Sequence, residues 1–435
     1  MDVFLKSFYN NRVAHVDLNT SRVEFMPVPP GMLSEAIGGA GVTRLLHEHF
    51  AGQDPIVLGC GPLTGSFAPA SCLMVATFSP DTKTLIHVPF LVNSGPQLKF
   101  SGFDFLVITG QSPEPVMLEV MNDAVKISGA GMLEGEISRR ERTLMSRGRF
   151  CPEAILLTGE AARNGVGSAV LSLGQWGSLD KEGLGSYAEK KNIRAITLLA
   201  SGGIAFPGEN LEQGSILMKE LRARYKKRQY VVQDFMAGGQ AHRKLIRKHF
   251  RKSHACFHCP LACISYLEFT SRNGGKKRTG GVFLMDHEGF AALAALRPLD
   301  ACTLMHACIE QGLDPLRAAS LIGAEAPTED ALKTIREGLP GSRSTGTGPA
   351  PGSDVVPDEV FMAFGTGIPR IRPQAPDASW QSRVGLAMIL GICPILLLTY
   401  PDLSPDHLLS FISPDAGFRD DLHQRIRSAL NSIAP

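Results

Sequence analysis

The chain has 435 residues, enough for two or three domains with large buried cores, and its 44% apolar and 20% charged content is ordinary for a globular protein. A formal net charge of +2 gives no basis for global attraction to nucleic acid or anionic lipid. No run reaches the length of an uncharged membrane span, Leu386–Tyr400 being too short, and MDVFLKSFYNNRVAH lacks a signal-peptide core. The expectation is a cytoplasmic protein with no membrane or nucleic-acid partner.

In chain order, Val13–Val28 reads as a hairpin turning near Asn19 and Thr20, and a helix follows from Met32 to about Phe50, apolar at Leu33, Ile37, Leu45 and Leu46. Strands are expected at Pro55–Gly61, Cys72–Pro80, Asp104–Gly110, Pro115–Met121, from Ala154 into Asn164, and at Lys191–Gly202. From about Asn210 the pattern turns helical through Leu211–Met236 and Gly239–His254. Two further helices lie across Phe290–Gly323, broken at Pro298 and near Gly312. Gly338–Pro376 is rich in Gly, Pro, Ser and Thr and reads as a linker. A helical stretch Ser379–Leu398 and short polar helices from Ser404 to Pro435 close the chain. The resulting division is a β-rich domain 1–205, a helical domain 206–337, a linker 338–376 and a helical segment 377–435. No internal repeat is legible.

Basic residues crowd the approach to the cysteines: Arg222, Arg224, Lys226, Lys227, Arg228, Arg243, Lys244, Arg247, Lys248, Arg251 and Lys252. They read as solvated helix faces or as a docking patch for an acidic redox partner such as a ferredoxin. Tyr225 and Tyr230 alone do not make an aromatic platform for nucleic acid.

Cysteine placement carries the chemistry. CFHCPLAC sets Cys256, Cys259 and Cys263 in the order C-x2-C-x3-C, and four-coordinate zinc or a cubane iron–sulfur cluster requires a fourth ligand from elsewhere. Cys393 is the candidate, standing after a glycine and before a proline in an apolar segment. Zinc sites usually pair two C-x2-C knuckles, and no second knuckle exists, so the spacing favours a [4Fe-4S] cluster over zinc and over incidental buried thiols. Cys60, Cys72, Cys151, Cys302 and Cys308 lie among apolar residues and read as buried hydrophobes.

Beside these readings, the chain resembles the tungsten- and molybdenum-pterin aldehyde ferredoxin oxidoreductase family over residues 8–325 and 380–395. The resemblance rests on RVAHVDLNTSRVEF, IGGAGVTRLL, GPLTGSFAP, LKFSGFDFLVITG, TGEAARN and EGLGSYAEKKNIRAI in that order, followed by CFHCPLAC, EQGLD and LGIC. It implies an α+β fold whose first domain is a pair of β-sheets cupping a tungsto- or molybdo-bispterin, with a mainly helical, shortened C-terminal region. It also implies a [4Fe-4S] cluster on Cys256, Cys259, Cys263 and Cys393. The family's pterin-binding D-x-x-G-L-D and D-x-x-G-L-C motifs fall on Gly312, Leu313, Asp314 and on Gly391, Ile392, Cys393, with Ile309 and Met388 at the opening aspartates. Asn93 and Gly95 spell the family's N-S-G, although a gapless alignment puts Pro89 there. Lys181 and Gly183 occupy the phosphate loop, with Glu182 in place of a glycine, and Cys72 and Leu73 stand where an arginine is expected. Asp286, His287 and Glu288 are shifted from the family's catalytic glutamate and read equally as a solvated turn, so no catalytic residue is assigned.

Two functions follow, beside a weaker reading as a zinc-stabilised binding scaffold. One is oxidation of an aldehyde or oxo substrate at a metal–pterin, with electrons passed through the cluster to ferredoxin. The other is a non-catalytic paralogue that keeps fold and cluster and serves as an electron-transfer or structural subunit. Ferredoxin or another redox subunit is the expected partner, in a homodimer or beside an active homologue.

Overall fold

The computed structural model describes residues 7–78, 85–147, 151–204, 211–224, 240–273, 276–322, 324, 327–337, 378–400, 403–413 and 415–433. The expected linker 338–376 lies outside the described residues, as do Tyr225, Lys226, Lys227, Arg228 and Tyr230.

Eleven strands of the N-terminal half form two mixed sheets. The first contains β1 (Val13–Asp17), β2 (Arg22–Met26), β3 (Ile56–Gly59), β4 (Leu73–Phe78), β5 (Leu85–Phe90) and β6 (Phe105–Thr109), in the order β2-β1-β6-β3-β4-β5. The second contains β7 (Val116–Met121), β8 (Ala124–Gly129), β9 (Ala154–Leu157), β10 (Ser172–Leu173) and β11 (Ile193–Leu199), ordered β10-β9-β11-β7-β8. Strand periodicity builds the layers: Leu106 and Ile108 face inward with Val16, Leu58 and Val75, and there meet Leu118, Leu156 and Ile196 of the second sheet. Phe105 and Val107 point the other way, into a second core shared with the C-terminal helices. On the far side, Met117, Ile155 and Leu157 pack against Ile137 and Leu144 of the helix Ile137–Arg147.

Although the sequence shows no repeat, the topology does. In each half an antiparallel hairpin (β1–β2, β7–β8) sets its first strand parallel to the last strand (β6, β11). That last strand pairs antiparallel with β3 or β9, which continues to β4 or β10. A helix of eleven residues lies between each hairpin and the next strand (Gly39–His49, Ile137–Arg147), and one of seven precedes each final strand (Ser94–Phe100, Leu184–Lys190).

Three expectations are corrected. The helix expected from Met32 to Phe50 is two helices, Met32–Ala36 and Gly39–His49, because Ile37 adopts φ 66° and breaks the run. The region expected to be helical before and after the cysteines contains a three-stranded sheet, β12 (Phe250–His254), β13 (Ile264–Asn273) and β14 (Lys276–Leu284), in that order. The alternation in ISYLEFT is its sequence signal, a short one set between longer helical stretches. The tail is one short helix, Pro405–Leu409, and one long helix, Ala416–Ile433, rather than several short ones. Among the described residues no helix is long and apolar enough to cross a membrane.

The KFSGFD segment is a structural brace. Lys99, buried with its Nζ 2.8 Å from the Gly61 carbonyl and 3.0 Å from that of Pro62, fixes the GPLTG loop after β3. Asp104 accepts from the Asn10 and Arg12 amides at 3.1 Å and anchors the chain entering β1.

Candidate metal centre

The cysteine loop lies between two distant parts of the chain. His258, at φ 48°, closes a tight turn in which the Cys259 amide donates to the Cys256 carbonyl at 3.0 Å. The Phe257 amide donates to Val92 at 3.0 Å, and the His258 carbonyl accepts from Ala70 at 3.3 Å. The same stretch of loop then receives Cys393, whose amide donates to the Ala70 carbonyl at 2.5 Å, while Cys72 donates its amide to Gly391 at 3.0 Å. Ser71 and Ile392 form an antiparallel bridge between those two hydrogen bonds. Residues 70–72, 256–263 and 391–393 are thereby laced together.

Cys256, Cys263 and Cys393 are buried in one core, with partly buried Cys259 packed against it. Burial pushes the Cys256 thiol up to about 11. It raises Cys259 well above its usual value, and Cys256, Cys263 and Cys393 raise it further. Cys263 is raised by burial, then by Cys256 and Cys393, and Cys393 by burial, then by Cys256 and Cys72. Four thiols that disfavour ionisation together are the donor set a metal centre deprotonates, since its positive charge supplies the missing compensation. Two features favour thiolate further: the Leu261 amide lies 3.3 Å from Cys259 Sγ, and Cys393 N-caps the helix Pro394–Thr399, whose Ile395 and Leu396 amides partly offset its rise. Among the described residues no three His, Cys, Asp or Glu side chains gather closely enough to hold a single ion.

Sequence reasoning missed two neighbours of this centre. Cys72 is buried as expected, but it sits beside Cys256 and Cys393, its Sγ 3.2 Å from the Ile392 carbonyl it donates to. Thr64 ties the three strands of the knot, bonding the Gly61 amide and the carbonyls of Cys72 and Gly391 at 3.0–3.2 Å. Cys60, Cys302 and Cys308 are buried as expected. Cys151 is exposed, because it lies in the connection leading into β9 and not in a strand.

The second half repeats the device with other chemistry. The helix Ala301–Gln311 ends at Gly312 (φ 66°), Leu313 bridges Ala169, Val170 donates its amide to the Gly312 carbonyl at 2.9 Å, and Asp314 N-caps a helix opening with Pro315. Gly391 (φ 75°), Ile392, Cys393 and Pro394 are the equivalent turn of the first half. Asp314 Oδ1 lies 2.6 Å from Lys181 Nζ, and Asp286 Oδ2 lies 2.5 Å from the same nitrogen, all three side chains being buried. Burial opposes the charge on Lys181, and Asp286 and Asp314 overcome it, raising the pKa. Burial raises Asp314 against the pull of Lys181.

The remaining predicted residues are placed as follows. Asn93 Nδ2 donates to Glu153 at 3.2 Å near the surface, and Gly95 backs onto the Cys72 carbonyl, which a Cβ there would approach to 2.5 Å. Gly183, at φ 81°, opens the helix Leu184–Lys190 against the Gly167 carbonyl. His287 is buried and lowered to about 4 by that burial, and Asp286 caps its helix by accepting from Gly289 at 3.0 Å, so the segment is not a solvated turn. Ile309 and Met388 are both buried aliphatics. Around Leu313 the described residues, among them Trp176, Asp286, Met305 and Ile309, leave a cavity of about 10 Å³, the room of a single water. Lys181 is committed to two carboxylates and the room beside Leu313 is that of a single water, while Ile309 and Glu310 also line a separate cavity of about 460 Å³.

Residues 13–200 match the aldehyde ferredoxin oxidoreductase N-terminal domain. The tungsten-containing aldehyde ferredoxin oxidoreductase of Pyrococcus furiosus is 22% identical over 346 residues, covering 70% of this chain and 56% of the relative. That of Pyrococcus abyssi is 23% identical over 320 residues, covering 64% and 51%. The WOR-like subunit of an aliphatic sulfonate oxidoreductase from Pyrococcus furiosus is 24% identical, over 45% of this chain and 35% of its own. The active-site complex BamBC of benzoyl coenzyme A reductase, solved with 1,5-dienoyl-CoA, shares the fold with a TM-score of 0.58 and 19% identity, over 72% of this chain and 55% of that one. Residues 13–200 thus carry an aldehyde ferredoxin oxidoreductase N-terminal domain, the chain is a distant homologue of the tungsten-containing enzymes, and it spans about half the length of the curated relatives it matches.

Proposed function

We propose that the chain is a [4Fe-4S] protein of this family acting as an electron-transfer or structural subunit beside an active homologue or another redox protein such as ferredoxin. One observation carries this reading: Cys256, Cys259, Cys263 and Cys393 share one buried core although Cys393 comes from a distant helix turn. A cubane held there supplies one-electron transfer. The protein's own part is to exclude water from the sulfurs and to aim the Leu261, Ile395 and Leu396 amides at them. The names of two relatives, a subunit and a complex, support work in an assembly.

A second reading keeps aldehyde oxidation at a tungsto- or molybdo-bispterin, with ferredoxin as acceptor. It is favoured by kinship to tungsten-containing enzymes and by the retained Gly312-Leu313-Asp314 and Gly391-Ile392-Cys393 turns. It is opposed by the closed space at Leu313 and by the ion pairs of Lys181.

Metal analysis of anaerobically purified protein separates the two: about four irons without tungsten or molybdenum supports the first, and either heavier metal at about one per chain supports the second. Cys393→Ser is expected to remove most of the iron, while Cys308→Ser, buried in another core, leaves it in place. Equal iron in the two variants overturns the ligand assignment.

A further inference from the structure

We infer that Lys181 takes the cofactor's place in the second-half arm, its ammonium bridging Asp286 and Asp314 so that the β10–β11 connection is joined to the helical region with no bound group. The inference rests on the reading that this chain carries a cluster and no metal–pterin.

The three residues come from three segments. Lys181 lies in the turn before the helix Leu184–Lys190. Asp286 caps the helix His287–Leu296 through Gly289, and Asp314 caps Pro315–Leu321 through Leu316 at 3.1 Å. The carboxylates are therefore fixed by their own helix starts, and the flexible lysine reaches both, at 2.5 and 2.6 Å. Side-chain exposures of 4%, 2% and 7% place the set away from water, where neither carboxylate has solvent to replace the ammonium.

Charge argues the same way. One ammonium faces two carboxylates, with Glu288 also acting on Lys181, so the surroundings are negative in sum. A phosphate-bearing group entering there would meet repulsion, and recruiting Lys181 to it would strand two buried acids. The cavity of about 10 Å³ beside Asp286 admits no ring system. Lys181 thus does for the second half what a bound group would otherwise do: it holds a loop of one sheet against two helix N-termini.

The test uses full-length protein made in a host that synthesises the metal–pterin and is supplied with tungstate and molybdate. Wild type, Lys181→Met, Lys181→Arg and the all-neutral Lys181→Met/Asp286→Asn/Asp314→Asn are compared by metal content and thermal melting. Expected are iron without tungsten or molybdenum in wild type, melting about 5–10 °C lower in Lys181→Met, and recovery of most of that loss in the all-neutral variant. Lys181→Arg is expected to melt between wild type and Lys181→Met. If Lys181→Met is insoluble, a soluble all-neutral variant supports the bridge and an insoluble one overturns it. Iron without the heavier metals but unchanged melting in Lys181→Met sinks the inference and leaves the functional reading standing. Tungsten or molybdenum at about one per wild-type chain sinks the functional reading itself.

Discussion

Gly391→Ala tests the knot beside Cys393. Gly391 sits at φ 75°, a conformation that costs an L-residue about 1–2 kcal/mol. Its added Cβ would lie 2.0 Å from Thr64 Oγ1, 2.6 Å from the Gly61 amide nitrogen and 2.8 Å from the Gly61 Cα. Two of those atoms are backbone held by Lys99 and cannot retreat, so overpacking adds about 1–3 kcal/mol. Displacing Thr64 would also break its bonds to Gly61, Cys72 and Gly391, about 1 kcal/mol more. The sum is about 3–6 kcal/mol, read as a lower urea midpoint at unchanged slope, with iron content falling because Cys393 moves with the turn. Gly312→Ala, at φ 66° with the nearest atom of Gly159 at 2.9 Å, is expected to cost about 1–3 kcal/mol and to leave iron unchanged. Gly52→Ala, with nothing within 4 Å, is the control. A Gly391→Ala midpoint equal to that of Gly52→Ala, or a larger loss in Gly312→Ala, would refute the reasoning.

Lys99→Met leaves the carbonyls of Gly61 and Pro62 without their buried donor and is expected to cost about 2–4 kcal/mol in urea unfolding; a loss under about 0.5 kcal/mol contradicts the brace. His47 is almost fully buried and lowered to about 4, mainly by burial, so between about pH 4 and 6.5 the unfolded chain binds the proton that the folded one refuses. Its contribution is complete above pH 6.5 and is lost as pH falls through that window, by about 3 kcal/mol. His47→Gln is expected to flatten this acid limb of the stability profile, and an unchanged slope would place the loss elsewhere.

What was legible follows from how local each signal is. The strand-forming segments at Ile56, Leu73, Phe105 and Ile193 are short apolar runs, buried on both faces, and stand where the sequence places them. Cys393 stands out through its glycine and proline, because a positive-φ turn followed by a proline at the helix start is a local device, and the fold sets it in one core with Cys256 and Cys263. The Lys181 pairs could not, since the partners lie 105 and 133 positions away and nothing in DKEGLG announces them. KFSGFD was read as a family mark, and only the packing shows that its lysine and aspartate hold backbone. The topological repeat is invisible in the sequence because the two halves share hydrogen-bond order and strand direction and not side chains.

That repeat gives the sharpest account of the two glycine turns. Cys393 and Asp314 occupy equivalent places: each follows an αL glycine and an aliphatic residue, caps the next helix and precedes its proline. The backbone presents both side chains in the same manner, so the difference in chemistry comes from what each half sets opposite. The first half offers a loop with three more thiols, and the second an ammonium and a carboxylate already paired. A thiol next to other buried thiols gains from a shared cation, whereas a carboxylate beside a buried lysine is already compensated. The same turn therefore sets a thiol in one core with three others in one half and closes an ionic bridge in the other.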